Sequence, residues 1–331
     1  MIMRYYYAPM EGITLYPLRN THKKIFGEGV DKYFTPFVTT PKNLHFKKRE
    51  KKDILPENIE GFKDYSKEIS VQIMSGNVET FVWGARQIRE LGYRDLNLNL
   101  GCPAPTVINR HKGAGLLTDG YYLEEMLKGI YSELSEDDID ISLKTRLGFY
   151  DPDEAKDLME SFSHFPVKEL IIHARVREDY YSGKPRIEAF KDAVRVYRDL
   201  GGRADICYNG DVNSPEDLER IMEGLGDVRD EISAVMMGRG LLYDPALARR
   251  LTGGSSLNPE ELRKYLSELY RGYSEYIPED RNVICKMLEH WAFLHVHFKD
   301  CEKHLKAIRK AKTRGEYTAA VNAIFADCKF V

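Results

Sequence analysis

Two hydrophobic rhythms alternate along the first three quarters of the chain. Short apolar runs read as strands near residues 5–10, 33–38, 69–74, 95–100, 140–145, 168–173, 205–209 and 233–237. Between them, apolar positions recur every three or four residues, which predicts helices over 79–91, 122–133, 154–163, 187–199 and 215–224. Several helical stretches open with a capping residue, then proline, then acids: Asp151-Pro-Asp-Glu, Ser214-Pro-Glu-Asp and Asn258-Pro-Glu-Glu. Proline suits the first helical position, and carboxylates suit the positive end of the helix dipole. Eight strand–helix units within residues 1–250 predict a TIM (β/α)8 barrel.

After Gly253-Gly-Ser-Ser256, a predicted linker, the strands disappear. Leu262, Leu266, Leu269, Tyr270 and Tyr273 recur at helical spacing, as do Ile284, Met287, Leu288, Trp291, Leu294 and Phe298, and then Tyr317, Ala320, Val321, Ile324 and Phe325. These stripes predict a small all-α helical domain over 257–331.

Within the barrel pattern, Asp95-Leu-Asn-Leu-Asn-Leu-Gly-Cys-Pro103 stands out. Leu96, Leu98 and Leu100 alternate with Asn97 and Asn99, the period of a strand. Gly101 permits a turn and Pro103 stops the ladder, so Cys102 is expected at the carboxyl end of a strand, where barrels place their chemistry. Lys112-Gly-Ala-Gly-Leu-Leu117 follows as a glycine-rich loop entering a helix.

Composition narrows the classes. A chain of 331 residues with 43% hydrophobic residues and mean hydropathy −0.47 suits one barrel plus a small appendix. No apolar run approaches the ~20 residues of a spanning helix, and Met1-Ile-Met-Arg-Tyr-Tyr-Tyr lacks a secretory core. Five cysteines without a Cys-x-x-Cys pair argue against a disulfide framework or structural zinc and favour the reducing cytoplasm. At net charge −3 the whole protein is no polycation, so any RNA binding must be local. Two segments are basic enough: Lys42–Lys52 with six basic residues against Glu50, and Lys299–Arg314 with seven against Asp300 and Glu302. Taken alone, each also reads as a solvated loop or helix face.

The first strand is not followed by Gly-x-Gly-x-x-Gly, so a Rossmann nicotinamide site is unsupported. A TIM barrel instead holds phosphate at the loops after strands seven and eight. Here those loops are Asn209-Gly210-Asp211 and Gly238-Arg239-Gly240, whose glycines allow close backbone approach and whose arginine can fork onto phosphate oxygens. Lys144 ends strand five among Ile141 and Leu143, either snorkelling to the rim or aimed at an anionic ligand. Gln72 on strand three offers both a donor and an acceptor, and His173 ends strand six ahead of Arg175 and Arg177. Cys207 reads as a buried small hydrophobe, and Cys285, Cys301 and Cys328 as structural.

Asn99-Leu-Gly-Cys-Pro103 and its Gly-Ala-Gly-Leu-Leu sequel resemble the tRNA-dihydrouridine synthases, flavin enzymes that reduce uridine in tRNA. The resemblance recurs in Ala8-Pro-Met10, Val71-Gln-Ile73, Leu143-Lys-Thr-Arg146, His173-Ala-Arg175, Tyr208-Asn-Gly-Asp211 and Met237-Gly-Arg-Gly240, over about three quarters of the chain. It implies FMN held by Ala8, Pro9, Met10, Gln72, Asn99, Lys144, His173, Asn209, Gly210, Asp211, Gly238 and Arg239, with NADPH as external reductant. It also implies that Cys102 is the general acid at uracil C5 while hydride reaches C6. For that role the thiol must stay protonated at neutral pH, as an unperturbed thiol of pKa ~8.5 does. Arg175 and Arg177, and on the helical domain Lys306 and Arg309, become candidates for RNA contact. No stable protein partner is expected, and the protein is expected to be a monomer.

The chain departs from the family in two places: Asn97 stands where many members carry an acid, and Ala104-Pro105 replaces a frequent serine-containing segment. Neither change removes a candidate catalytic group. Two other readings compete. An FMN barrel reductase of a free pyrimidine or enone, similar to dihydroorotate dehydrogenases, leaves the basic patches without a role. An RNA-binding scaffold without catalysis leaves Cys102, Lys144, His173 and Arg239 without one.

Overall fold

The computed structural model describes residues 2–331. Eight parallel strands, β1 (Arg4–Tyr7), β2 (Lys32–Phe34), β3 (Ile69–Met74), β4 (Asp95–Asn99), β5 (Asp140–Gly148), β6 (Glu169–Val176), β7 (Asp205–Asn209) and β8 (Ile232–Met237), pair in sequence order. The ring closes because β1 bonds β8 as well as β2, and β2 bonds β3. This is the expected TIM barrel. The strand predicted over 33–38 is interrupted: β2 ends at Phe34, and only Val38–Thr39 resumes pairing, against Ile73 and Met74. Pro36, which has no N–H to give a ladder, sits in the gap.

The alternation in β4 separates two buried faces rather than core from water. Leu96, Leu98 and Leu100 join the large core between strands and helices, while Asn97 and Asn99, equally buried, face the lumen. A parallel barrel is covered on both sides, so both faces lie out of solvent. Tyr6, Ala8, Phe34, Ile171, Cys207, Ala234 and Met236 form a second, separate apolar cluster inside the barrel. At its amino-terminal end the lumen closes over a polar plug: Lys32 Nζ lies 2.7 Å from Asp95 and 3.2 Å from Glu169, Tyr6 donates to Glu169 over 2.5 Å, and Arg4 meets Asp205 at 2.6 Å.

The longer helices around the sheet are α1 (Tyr16–Phe26), α2 (Val78–Glu90), α3 (Gly120–Glu133), α4 (Ala155–Ser163), α5 (Ile187–Asp199) and α6 (Pro215–Leu225). The caps read from sequence form: Asp151 and Asn258 build capping boxes with Glu154 and Glu261, and Ser214 accepts the Asp217 N–H.

Four further helices complete the chain, α7 (Pro259–Tyr276), α8 (Asp280–Leu294), α9 (Glu302–Lys310) and α10 (Arg314–Asp327). Their apolar stripes are buried as the spacing predicts, except that Leu288 and Phe325 are only partly covered and Phe298 lies beyond α8, in an antiparallel bridge to Phe330. The stretch after Gly253 is strapped down rather than loose. Arg249 holds the Ser255 and Ser256 carbonyls and forks onto Glu261 at 2.8 and 2.9 Å, tying barrel to helices. The helices also grip the loop after β1: Lys286 donates to the Gly12 carbonyl, and Tyr273 to that of Ile13.

Candidate active site

The carboxyl ends of the strands surround a cavity of about 430 Å³. The strands contribute at or near their carboxyl ends; Lys144 and His173, expected to end their strands, instead lie within β5 and β6, which run on to Gly148 and Val176. Ala8, Pro9 and Met10 follow β1, Gln72 comes from β3, Asn99 and Cys102 from β4, Lys144 from β5 and His173 from β6. Asn209, Gly210 and Asp211 close β7, and Gly238 and Arg239 follow β8. A Cβ on Gly238 would sit 3.4 Å from Met10 Sδ and 3.6 Å from Ala8 Cβ, so the absent side chain keeps a gap between the loops after β1 and β8.

A chain of amides crosses the cavity floor. Asn99 donates to Gln72 Oε1, and Gln72 donates to Asn97 Oδ1, each over 2.7 Å. Asn97 then donates to Ser142 Oγ over 2.9 Å. An acid at 97 could not make that last donation, so the neutral amide suits this network. Asn99 Oδ1 also accepts the backbone N–H groups of Gly101 and Cys102 at 3.1 and 2.9 Å, which fixes the turn carrying the thiol. The glycine-rich loop packs beneath that turn. Gly113 has φ +56°, and a Cβ there would lie 3.0 Å from both Cys102 Cβ and the Cys102 carbonyl oxygen. Burial pushes the Cys102 thiol above its ordinary pKa, partly offset by Ala104 and Arg146, so it is held as a proton donor and not a thiolate.

Cations dominate the walls. Lys144 Nζ donates to Asn209 Oδ1 over 2.8 Å and has no carboxylate partner, and burial with the nearby Arg146 pushes its pKa down to about 8. Burial and the charges of Arg146, Lys144, Arg175 and Arg239 hold His173 well below the usual imidazole range. Its Nε2 lies 3.2 Å from Arg175 Nη1. A guanidinium only donates, so Nε2 accepts and the neutral ring keeps its proton on Nδ1, free for a ligand.

Arg175 does not line the cavity. Its guanidinium is buried behind the wall, bonded to the Ser182 and Gly183 carbonyls and forked onto Asp211 at 3.2 and 2.5 Å. Arg239 meets the same carboxylate at 2.7 Å, so Asp211 is a brace between two arginines, which lower its pKa against the opposing effect of burial. Arg177 pairs with Glu178 and packs over the Phe149 and Tyr180 rings. Lys306 and Arg309 are exposed on α9. In the other basic segment, Arg49 reaches the mouth, 3.9 Å from Glu11, which lines the cavity.

Sequence reasoning passed over several lining residues. Arg146 is two positions past Lys144, so strand period alone places it on the same face; it holds the Gly101 carbonyl at 2.7 Å and those of Val176 and Tyr180. Tyr181, Phe37 and Glu11 come from loops, and Phe293 reaches in from α8. Only the fold brings these four to the cavity. Among the described residues no group of histidine, cysteine and acidic side chains is arranged to hold a metal ion, and no helix is long and apolar enough to cross a membrane.

Comparison with known proteins agrees with this geometry. The family model for dihydrouridine synthases matches residues 6–328. tRNA-dihydrouridine synthase B of Pseudomonas aeruginosa is 26% identical over 307 residues, 92% of this chain and 80% of that protein. The Pseudomonas putida protein of the same name is 26% identical over 96% of this chain and 86% of its own length. A probable tRNA-dihydrouridine synthase of Staphylococcus aureus is 25% identical, covering 72% and 68%. Among solved structures, morphinone reductase in complex with tetrahydroNAD superposes with TM-score 0.51 at 11% identity, over 78% of this chain and 89% of that one, a likeness of fold. The match along nearly the whole sequence, on a barrel whose strand ends carry the family's motifs, settles the assignment: the chain belongs to the dihydrouridine synthase family of oxidoreductases.

Proposed function

We propose that the protein is a tRNA-dihydrouridine synthase that binds FMN in the barrel mouth and reduces the uracil 5,6 double bond of a uridine in tRNA, with NADPH as external reductant. The observation that carries this reading is the Cys102 thiol, whose pKa burial raises, facing a cavity in which the part-buried Lys144 ammonium has no carboxylate partner. A buried cation without a carboxylate partner is costly unless a ligand supplies the anion. The donor set fits FMN. Arg239 and the backbone of Gly210 and Gly238 suit a phosphate, and Gln72 and Asn99 offer amide edges to a heterocycle.

FMN, when bound, supplies hydride to uracil C6. Lys144 would balance the negative charge of the reduced cofactor, and His173 would donate from Nδ1. Arg146 would hold the Gly101–Cys102 turn against movement. Cys102 Sγ would release its proton to C5, the step for which burial keeps the proton in place. The barrel, residues 1–250, would be the catalytic unit. The helices of 257–331, with Lys306 and Arg309, would grip tRNA together with the short basic helix Lys48–Lys52 that carries Arg49. A target base must leave its stack to reach such a pocket. The soluble cytoplasm is the proposed location.

Substrate choice tests this against the free-pyrimidine alternative. Purified protein loaded with FMN should oxidise NADPH in proportion to dihydrouridine formed in unmodified tRNA, and leave orotate and uracil unchanged. Reduction of orotate or uracil with untouched tRNA would replace the proposal by its alternative.

A further inference from the structure

The loops after β4, β5 and β6 carry a feature that the proposed reaction does not use. Five aromatic side chains are exposed among the described residues: Tyr121, Tyr122, Tyr150, Tyr180 and Tyr181, at 79%, 41%, 68%, 38% and 60%. All five fall in these three consecutive units, at the carboxyl ends of the strands or the start of the following helix. Every phenylalanine and tryptophan is at least partly covered, so the exposure is local.

Three of the rings join the cavity wall to the outer rim in one contact series. Tyr181 lines the cavity, 6.5 Å from the His173 ring, with the Arg146 guanidinium 5.6 Å from its own centroid. Arg146 accounts for the next step by holding the Tyr180 carbonyl. The Arg177 guanidinium then lies 4.8 Å from the Tyr180 ring and 5.1 Å from that of Phe149. Phe149 meets Tyr150 edge to face at 4.5 Å. Each ring thus touches a cation or another ring and remains exposed to solvent. Aromatic rings preorganised in this way are the usual platform for unstacked bases.

The acids beside the track are already engaged. Glu178 is taken by Arg177, and Asp179 by Arg186. Asp153, beside Tyr150, pairs with Lys156 at 3.2 Å, and Asp151 accepts the Asp153 N–H in its helix cap. We propose that Tyr150, Tyr180 and Tyr181 form a stacking track for the unpaired RNA bases that flank the target uridine. This rests on the tRNA reading above and adds to it the side of the mouth along which the strand leaves.

The test uses the full-length, FMN-loaded protein and unmodified tRNA. The double variant Tyr150→Ala/Tyr180→Ala should raise KM for tRNA by tenfold or more, on the scale of about tenfold per stacked base. Tyr150→Phe/Tyr180→Phe, which keeps both rings, should stay within about twofold of wild type. The dependence of KM on salt should be unchanged in both, since no phosphate contact is removed. An alanine variant with wild-type KM, or a phenylalanine variant as impaired as alanine, overturns the proposal. If wild type fails to reduce tRNA at all, it is the functional reading that falls, and direct binding of labelled oligouridine then decides the track separately. Binding that the alanine variant loses supports the track, and equal binding by both, or by neither, overturns it.

Discussion

The two ends of the barrel lumen solve the problem of buried charge in opposite ways. At the floor, Lys32 lies between Asp95 and Glu169, Tyr6 completes Glu169, and Arg4 meets Asp205. Every cation there has a carboxylate. At the mouth, Lys144 has only the Asn209 amide, and Arg146 has only carbonyls. The carboxylate that follows β7, Asp211, is consumed by Arg175 and Arg239. The floor is paired throughout; the mouth holds a lysine and an arginine with no carboxylate partner. Paired charge closes the floor and unpaired charge lines the mouth, at opposite ends of one barrel.

Removing one member from each end should therefore act with opposite sign on the fold. Glu169→Ala leaves Tyr6 without its acceptor and Lys32 with Asp95 alone. It should destabilise the protein by about 3 kcal/mol, the low end for a broken buried pair, because one partner survives. Lys144→Met removes an uncompensated charge and should stabilise the cofactor-free fold by about 1–3 kcal/mol, while weakening FMN binding tenfold or more. Urea unfolding and flavin titration measure both. Equal destabilisation by the two substitutions would erase the distinction between the ends.

The pH dependence sharpens it. Lys144 is pushed down to about 8 in the folded protein, against ~10.4 for a free lysine. Between these values the unfolded chain binds more protons, so the stability of the cofactor-free protein should rise with pH across that window. The full effect is ~3 kcal/mol, reduced where solvent reaches the ammonium through the cavity. Comparing wild type with Lys144→Met isolates it, and bound FMN should abolish it by restoring the charged form. The smallest effect belongs to the outer patch. Charge reversal at Lys306 and Arg309 should weaken tRNA binding and flatten its salt dependence by one to two counterions, with NADPH oxidation by small acceptors unchanged. An unaltered salt slope would leave that helix face merely solvated.

Much of this was legible in the sequence because it depends on local periodicity. The end of β4 could be read from where alternation meets glycine and proline, which puts Cys102 at the mouth, whereas Lys144 and His173 lie inside strands that run on to Gly148 and Val176. Arg146 was equally readable, two residues on from Lys144. What could not be read depends on loops folding back. Arg175 shares the strand face of His173, yet the Asp179–Arg186 loop covers it and turns it into a brace for Asp211. Phe293 lies between core positions Trp291 and Leu294, and nothing in that stripe indicates that α8 leans over the barrel. The position of Arg49 at the mouth likewise depends on the interrupted second strand.

The most direct test pairs wild type with Cys102→Ala on unmodified tRNA with NADPH, counting dihydrouridine by mass spectrometry. Wild type should form it. The variant should remain yellow with FMN and still be reduced by NADPH, but form dihydrouridine about 10²–10⁴-fold more slowly, the usual worth of a positioned general acid. A yellow variant that works at the wild-type rate would contradict the account, because the thiol held protonated in the mouth would then have no part in the chemistry.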